Sequence, residues 1–173
     1  MTTQPSTQNG THNTVSLSFP SDTELVVTRD FAYPPELVWR ASTTPEIVKQ
    51  WWGIAPREQF VVCEIDLRVG GTWRYAMDVP GMGEVGFHGE YREIVPHERL
   101  VSTEAYEGIP DADANAAVNT MTLEEVDGRT LVRILTEHVT KEGRDMHINS
   151  GMEAGMQDAF DRLEQVAASL RPA

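Results

Sequence analysis

Residues 31–53 read FAYPPELVWRASTTPEIVKQWWG, and the closing triplet Trp51-Trp52-Gly53 decides how the rest of the chain is read. Adjacent side chains leave a regular strand or helix in different directions, so two such large rings cannot share one buried side. One ring can anchor in a core while the other covers an opening, as expected of a protein built around a hollow. The residues before them give two helix starts. Pro34 and Pro35 suit a first helical turn, where a missing N–H costs nothing, and Leu37, Val38 and Ala41 supply an apolar side. Thr44-Pro45-Glu46 combines a capping hydroxyl, Pro at the first helical position and an early acid. Ile47, Val48 and Trp51 then recur at helical spacing until Gly53 ends the helix. Trp51 therefore reads as the buried anchor and Trp52 as the more exposed ring at the rim.

Upstream, Glu24 to Phe31 is a β-branched strand. Downstream, six strands are expected: Gln59 to Asp66, Thr72 to Asp78, Val85 to Val95, Leu100 to Ala105, Asn119 to Val126 and Thr130 to Val139. Gly70-Gly71, Pro80-Gly81, Pro96-His97 and Asp127-Gly128 punctuate them, and the last is the strongest hairpin signal. The last element is expected to be one long helix from Arg144 to Leu170, with Ile148, Met152, Met156, Ala159, Phe160, Leu163, Val166 and Leu170 along one face. Gly151 and Gly155 sit beside that stripe, either for close packing on the sheet or to leave space for a ligand. The fold class is thus α+β: a curved antiparallel sheet of about seven strands around a long C-terminal helix, with two short helices after the first strand.

Composition narrows the function. The chain has 173 residues and a net charge of -13, which fits one domain and argues against nucleic acid or anionic membranes as partners. No stretch approaches the roughly 20 apolar residues of a membrane span. Residues 1–22 are polar and are expected to form a disordered tail without signal-peptide character, leaving 23–171 as the domain. The single Cys63 leaves no internal disulfide and suits a reducing, cytoplasmic setting.

The segments FAYPPELVWRASTTPEIVKQWWG, IDLRVGGTWRYAM, GEYREIVPHERLV and SGMEAGMQDAFDRL, in that order and spacing, resemble the AHSA-like branch of the START/SRPBCC superfamily. That branch is named for homology to an activator of a heat-shock chaperone's ATPase. The resemblance implies a helix-grip fold with an internal apolar cavity, like that of the birch-pollen-allergen proteins and polyketide cyclases. The matching positions are Pro35, Trp39, Pro45, Trp51, Trp52, Gly53, Gly70, Gly71, Gly89, Pro96, Leu100, Gly151, Gly155 and Leu163. They describe architecture, and the branch has no shared catalytic set. The chaperone activator also has a separate N-terminal domain that this chain lacks.

The tempting chemical motifs fail on context. Gly81-Met-Gly83-Glu-Val-Gly86 matches G-x-G-x-x-G, but a strand-like run follows where a dinucleotide site needs a helix. Asp111, Asp113 and Asn115 imitate a calcium loop whose sixth position is Ala116 and whose twelfth is Thr122. The five histidines contain no pair at metal-binding helical spacing, so neither metal nor cofactor is expected. What remains is a cavity lining. Trp73, Tyr75 and Met77 share one strand face, as do Phe87 and Tyr91 on the next. Arg133 and Glu137 share a face of the last strand with Leu131 and Leu135; the opposite parity, with Val132, Ile134 and Thr136 inward, is equally apolar. Facing Met152, Met156 and Phe160, and closed by Trp52, these residues would form an aromatic, Met-rich ligand site, or else a fully packed core. The leading expectation is non-catalytic binding of a small hydrophobic or aromatic molecule by a monomer or homodimer. A cyclase-like enzyme using Arg133, Glu137, Tyr75 or His88 is one alternative. A chaperone or regulator interaction module, with a protein partner, is the other.

Overall fold

The computed structural model describes residues 14–53 and 60–172. Its elements are β1 (Ser16–Ser18), β2 (Glu24–Phe31), α1 (Pro35–Thr43), α2 (Pro45–Val48), β3 (Phe60–Ile65), β4 (Thr72–Val79), β5 (Gly83–Val95), β6 (Arg99–Tyr106), β7 (Ala117–Val126), β8 (Arg129–Glu137), α3 (Lys141–Asn149) and α4 (Met152–Ser169). The strands form one antiparallel, eight-stranded curved sheet in the order β1-β2-β8-β7-β6-β5-β4-β3. The chain leaves β2, crosses through α1 and α2 to β3 at the far edge, and meanders back until β8 pairs with β2. That crossing lays the tandem tryptophans over the inner face, Trp51 against Phe160 and Trp52 against Tyr75 and Phe87. The turn chemistry works as read: Asp127 and Gly128 both have positive φ, 52° and 77°, in a two-residue hairpin, which matches the right-handed twist of the flanking strands. The Gly81 to Gly86 string is the β4–β5 hairpin and the start of β5.

Three expectations are corrected. The sheet has eight strands, because Ser16–Ser18, within the stretch read as a tail, pairs with Val26 to Thr28. Val15 beside it is buried. Residues 1–13 lie outside the described residues. Second, the long C-terminal helix is two helices. Thr140 caps α3 by accepting from the Gly143 N–H at 3.0 Å, and Gly151 breaks the run with φ of 81° before α4, a left-handed conformation that glycine adopts without steric cost. Third, Gly151 and Gly155 are exposed, and a Cβ on either would meet nothing within 4 Å. They neither pack against the sheet nor leave room beside it. One smaller reading also changes: the Thr44 hydroxyl makes no cap bond, and its carbonyl accepts from Ile47 and Val48 instead.

The core sits between the inner face of the sheet and α4. Leu25, Val27 and Phe31 of β2 and Val132 of β8 pack with Met152, Ala159, Phe160 and Leu163 of α4, and with Val38, Ile47 and Trp51. Phe31 meets Phe160 edge-on at 5.6 Å between centroids. Arg29, only 2% exposed, reaches α4 from the same face and pairs with Asp161 at 2.7 Å and Glu164 at 3.2 Å. Glu164 in turn accepts from the Ala32 N–H at 2.8 Å. The buried Arg29, paired with the half-exposed Asp161 and the more buried Glu164, staples β2 to α4.

Candidate functional site

The tandem tryptophans divide their work between two clusters. Trp51 is 7% exposed, donates its indole N–H to the Ala41 carbonyl at 2.8 Å and lies 6.3 Å from Phe160. Trp52 is half-buried and turns the other way, 4.9 Å from Tyr75 and 5.4 Å from Phe87, both edge-on. Gly53 then takes φ of 84°, which strains any larger residue, and a Cβ there would fall 2.5 Å from the Met77 sulfur and push that side chain aside. Arg162, buried on α4, donates to the Gly53 carbonyl at 2.7 Å and pairs with Asp158 at 2.8 Å. The clasp fixes the end of the tryptophan segment against the helix.

Around Trp52 the inner face is aromatic. Cross-strand register sets Cys63, Tyr75 and Phe87 side by side, with Phe87 opposite Tyr106 at 5.2 Å between rings. Trp73 stacks at 4.7 Å on Tyr75 and donates its N–H to the Thr103 carbonyl at 3.2 Å. Tyr75 and Tyr91 belong to the same buried cluster, and burial raises the pKa of both phenols. Burial also pushes the Cys63 thiol up to about 11, so it stays protonated at neutral pH and is a poor nucleophile.

Next to the aromatics runs a polar row that sequence reasoning missed. Thr136 donates to the Asn119 side-chain oxygen at 2.7 Å, and the Asn119 amide donates to Glu104 at 3.3 Å. Burial pushes the Glu104 carboxyl above the usual range, and the Asn119 bond partly offsets that rise. Glu104, Ser102, Asn119, Leu100, Met121, Ile134, Phe87, Trp52 and Met156 all keep accessible surface although they belong to the inner side of the molecule. The alternation of β6, Leu100-Val-Ser-Thr-Glu104, contained the hint: Glu104 shares a face with Leu100.

Of the residues expected to line a site, Trp52, Trp73, Tyr75, Phe87 and Tyr91 come together in or against one aromatic cluster. Met77 is 2% exposed against Gly53. Met152 and Phe160 are core residues of the α4 cluster, with Met156 packed against it and half-exposed. Arg133 and Glu137 do not belong. Both are exposed on the outer face, because β8 turns Thr130, Val132, Ile134 and Thr136 inward in register with Leu25, Val27 and Arg29 of β2. Placing the charged parity outward avoids desolvating it.

The outer face has its own charged group. His88 bonds to Glu107 at 2.9 Å and to Asp113, and Arg74 pairs with Glu107 and Glu84, each at 2.9 Å. The two carboxylates raise the His88 pKa, while Arg74 chiefly holds Glu107 down to about 2. A shallow cleft of about 580 Å³ adjoins His88 and Asp113. A second, of about 490 Å³, lies between Val15 and the α3–α4 break at Gly151. Among the described residues no cluster of three metal-ligating side chains occurs, and no helix is long and apolar enough to cross a membrane.

Residues 32–168 match the family described as Activator of Hsp90 ATPase homolog 1-like protein. The chain belongs to that family. Among solved structures, a protein from Rhodobacter sphaeroides is 26% identical with a TM-score of 0.79, covering 91% of this chain and 99% of its own. One from Nitrosomonas europaea is 25% identical, with a TM-score of 0.75 and coverage of 87% and 97%. One from Mycobacterium smegmatis, at 22% identity and a TM-score of 0.76, covers 92% and 98% and speaks to the fold alone. A comparison with curated proteins finds no match.

Proposed function

We propose that this family member binds a small hydrophobic or aromatic molecule, without catalysis, between the aromatic half of the inner sheet face and α4, in a helix-grip arrangement. One observation carries the reading. Trp52, Phe87, Leu100, Ser102, Glu104 and Asn119 keep accessible surface on a face where neighbouring side chains are sealed. Aromatic walls with a few convergent polar groups are what small-ligand sites are made of. Trp52 and Phe87 form the wall, and Trp73, Tyr75 and Tyr91 stand behind them. The groups considered for proton transfer favour binding over catalysis: Tyr75 is on the inner face, whereas His88, Arg133 and Glu137 are on the outer one. The lone Cys63 fits a reducing cytoplasm.

Titration with naphthylmethanol, a neutral apolar probe, tests the reading. Binding is expected at micromolar affinity, about 8 kcal/mol, with quenching of tryptophan emission and a rise in Tm by mass action. Trp52→Ala should weaken it. A titration with neither quenching nor a Tm rise would remove the binding reading and leave the protein-interaction role as the alternative.

A further inference from the structure

Resting on the binding reading above, we propose that the ligand carries a basic nitrogen, and that Glu104 is the residue that receives it: the site selects an aromatic or apolar amine over its neutral or anionic analogue. Three observations converge on this class of ligand.

The first is direction. Thr136 donates to Asn119 and Asn119 donates to Glu104, so each bond along the row points its donor toward the carboxylate. Such a chain ends in an acceptor and favours the ionised form of its last member. One Glu104 oxygen takes the Asn119 amide, and the residue is partly exposed.

The second is the lack of a counter-charge. None of the ion pairs among the described residues includes Glu104. Burial and the Asn119 amide are the influences on its carboxyl, with no cation among them. A desolvated carboxylate without a cation is costly, and a ligand ammonium removes that cost by supplying the missing charge.

The third is the surroundings. In the strand ladder, Phe87 opposite Tyr106 and Tyr91 opposite Ser102 set Gly89 beside Glu104, while Ala117 pairs with it on the other side. Both neighbours are small, and the Thr103 carbonyl and the Trp73 indole N–H occupy the space over Gly89. Trp52 and Phe87 are the aromatic rings of the site that keep accessible surface. Ring faces attract cations. The net charge of -13 draws cations toward the molecule and repels anions.

The test compares three probes of one shape by fluorescence and calorimetry at neutral pH: naphthylmethylamine, naphthylmethanol and naphthoate. The amine is expected to bind about tenfold tighter than the alcohol or better, as for a charge-assisted hydrogen bond in a desolvated site, and naphthoate weakest. Glu104→Gln keeps the shape and loses the charge; it should erase the amine's advantage over the alcohol. Glu104→Asp, which draws the charge back by one methylene, should reduce that advantage if the glutamine variant does not fold. If the alcohol binds and the amine gains nothing, or naphthoate binds best, the amine proposal is wrong and the binding reading stands. An amine preference that survives both variants overturns the role of Glu104. If none of the three binds, both proposals fall.

Discussion

Where β2 and β8 face α4, the inner side chains are mostly aliphatic, Phe31 and Phe160 meet edge-on, and the buried Arg29 is paired on α4. Where β4, β5 and β6 face Trp52, they are aromatic, Trp52 and Phe87 retain accessible surface, and the partly buried Glu104 has no cation beside its carboxyl. Both regions lie on one sheet and share one ladder. The difference teaches that the first half is closed by its own chain, charge included, whereas the second keeps accessible surface and a carboxyl with no cation beside it. Trp51 and Trp52 sit on the seam, one ring to each half.

The largest expected effect separates those rings. Trp51→Ala removes a sealed ring and its bond to Ala41, and should cost about 3–5 kcal/mol of stability. Trp52→Ala removes a half-buried ring and should cost about 1–2 kcal/mol. Chemical denaturation of the two variants measures both, and equal losses would break the distinction. The charges should divide likewise. Arg29→Met leaves Glu164 and Asp161 without their partner and should cost about 2–4 kcal/mol. Arg74→Met acts on a partly exposed outer-face network and should cost about 0–1 kcal/mol.

A third prediction concerns acid. The His138 and His147 rings hydrogen-bond at 3.0 Å where β8 meets α3. Burial lowers both pKa values, that of His147 to about 4. A histidine whose folded pKa lies below the unfolded one, about 6.5, holds fewer protons when folded. Its contribution is therefore intact above about pH 6.5 and is lost as the pH falls toward about 4. Stability should drop by about 1–3 kcal/mol across that window, and His147→Gln should flatten the curve. Glu107, held down to about 2, titrates below this range, so its loss appears only in stronger acid.

The smallest effect comes from α4. Gly155 is exposed in a helix interior with open space at its Cβ. Gly155→Ala should raise stability by about 0.5–1 kcal/mol and leave probe affinity unchanged. A loss of affinity would restore the idea that this glycine makes room for a ligand.

How much of this was legible in the sequence follows local physics. The strand order, the Asp127-Gly128 hairpin, the two proline-led helices and the separation of Trp51 from Trp52 depend on nearest neighbours, and their residues announced them. Strand β1 did not, because three residues of Ser-Leu-Ser have no pattern of their own and are held by pairing with β2. The break at Gly151 was hidden because an apolar stripe continues across it, from Ile148 to Met152. The parity of β8 was undecidable alone, since both faces are apolar enough, and register with β2 chose the one that left Arg133 and Glu137 in water. Glu104 was missed for a related reason. A single acid in a strand reads as solvent-facing, and although alternation puts it on the face of Leu100, which face turns inward is settled when β5 and β7 are laid beside it.

The central claim, that the aromatic half of the inner face takes a ligand and the α4-packed half does not, is tested most directly by mapping amide NMR shifts during a naphthylmethanol titration. The account predicts saturable shifts concentrated at Trp52, Phe87, Leu100, Ser102, Glu104 and Asn119, with Leu25, Val27 and Val132 unmoved. Shifts centred on the outer face around His88 and Asp113, or no saturable shift at all, would contradict it.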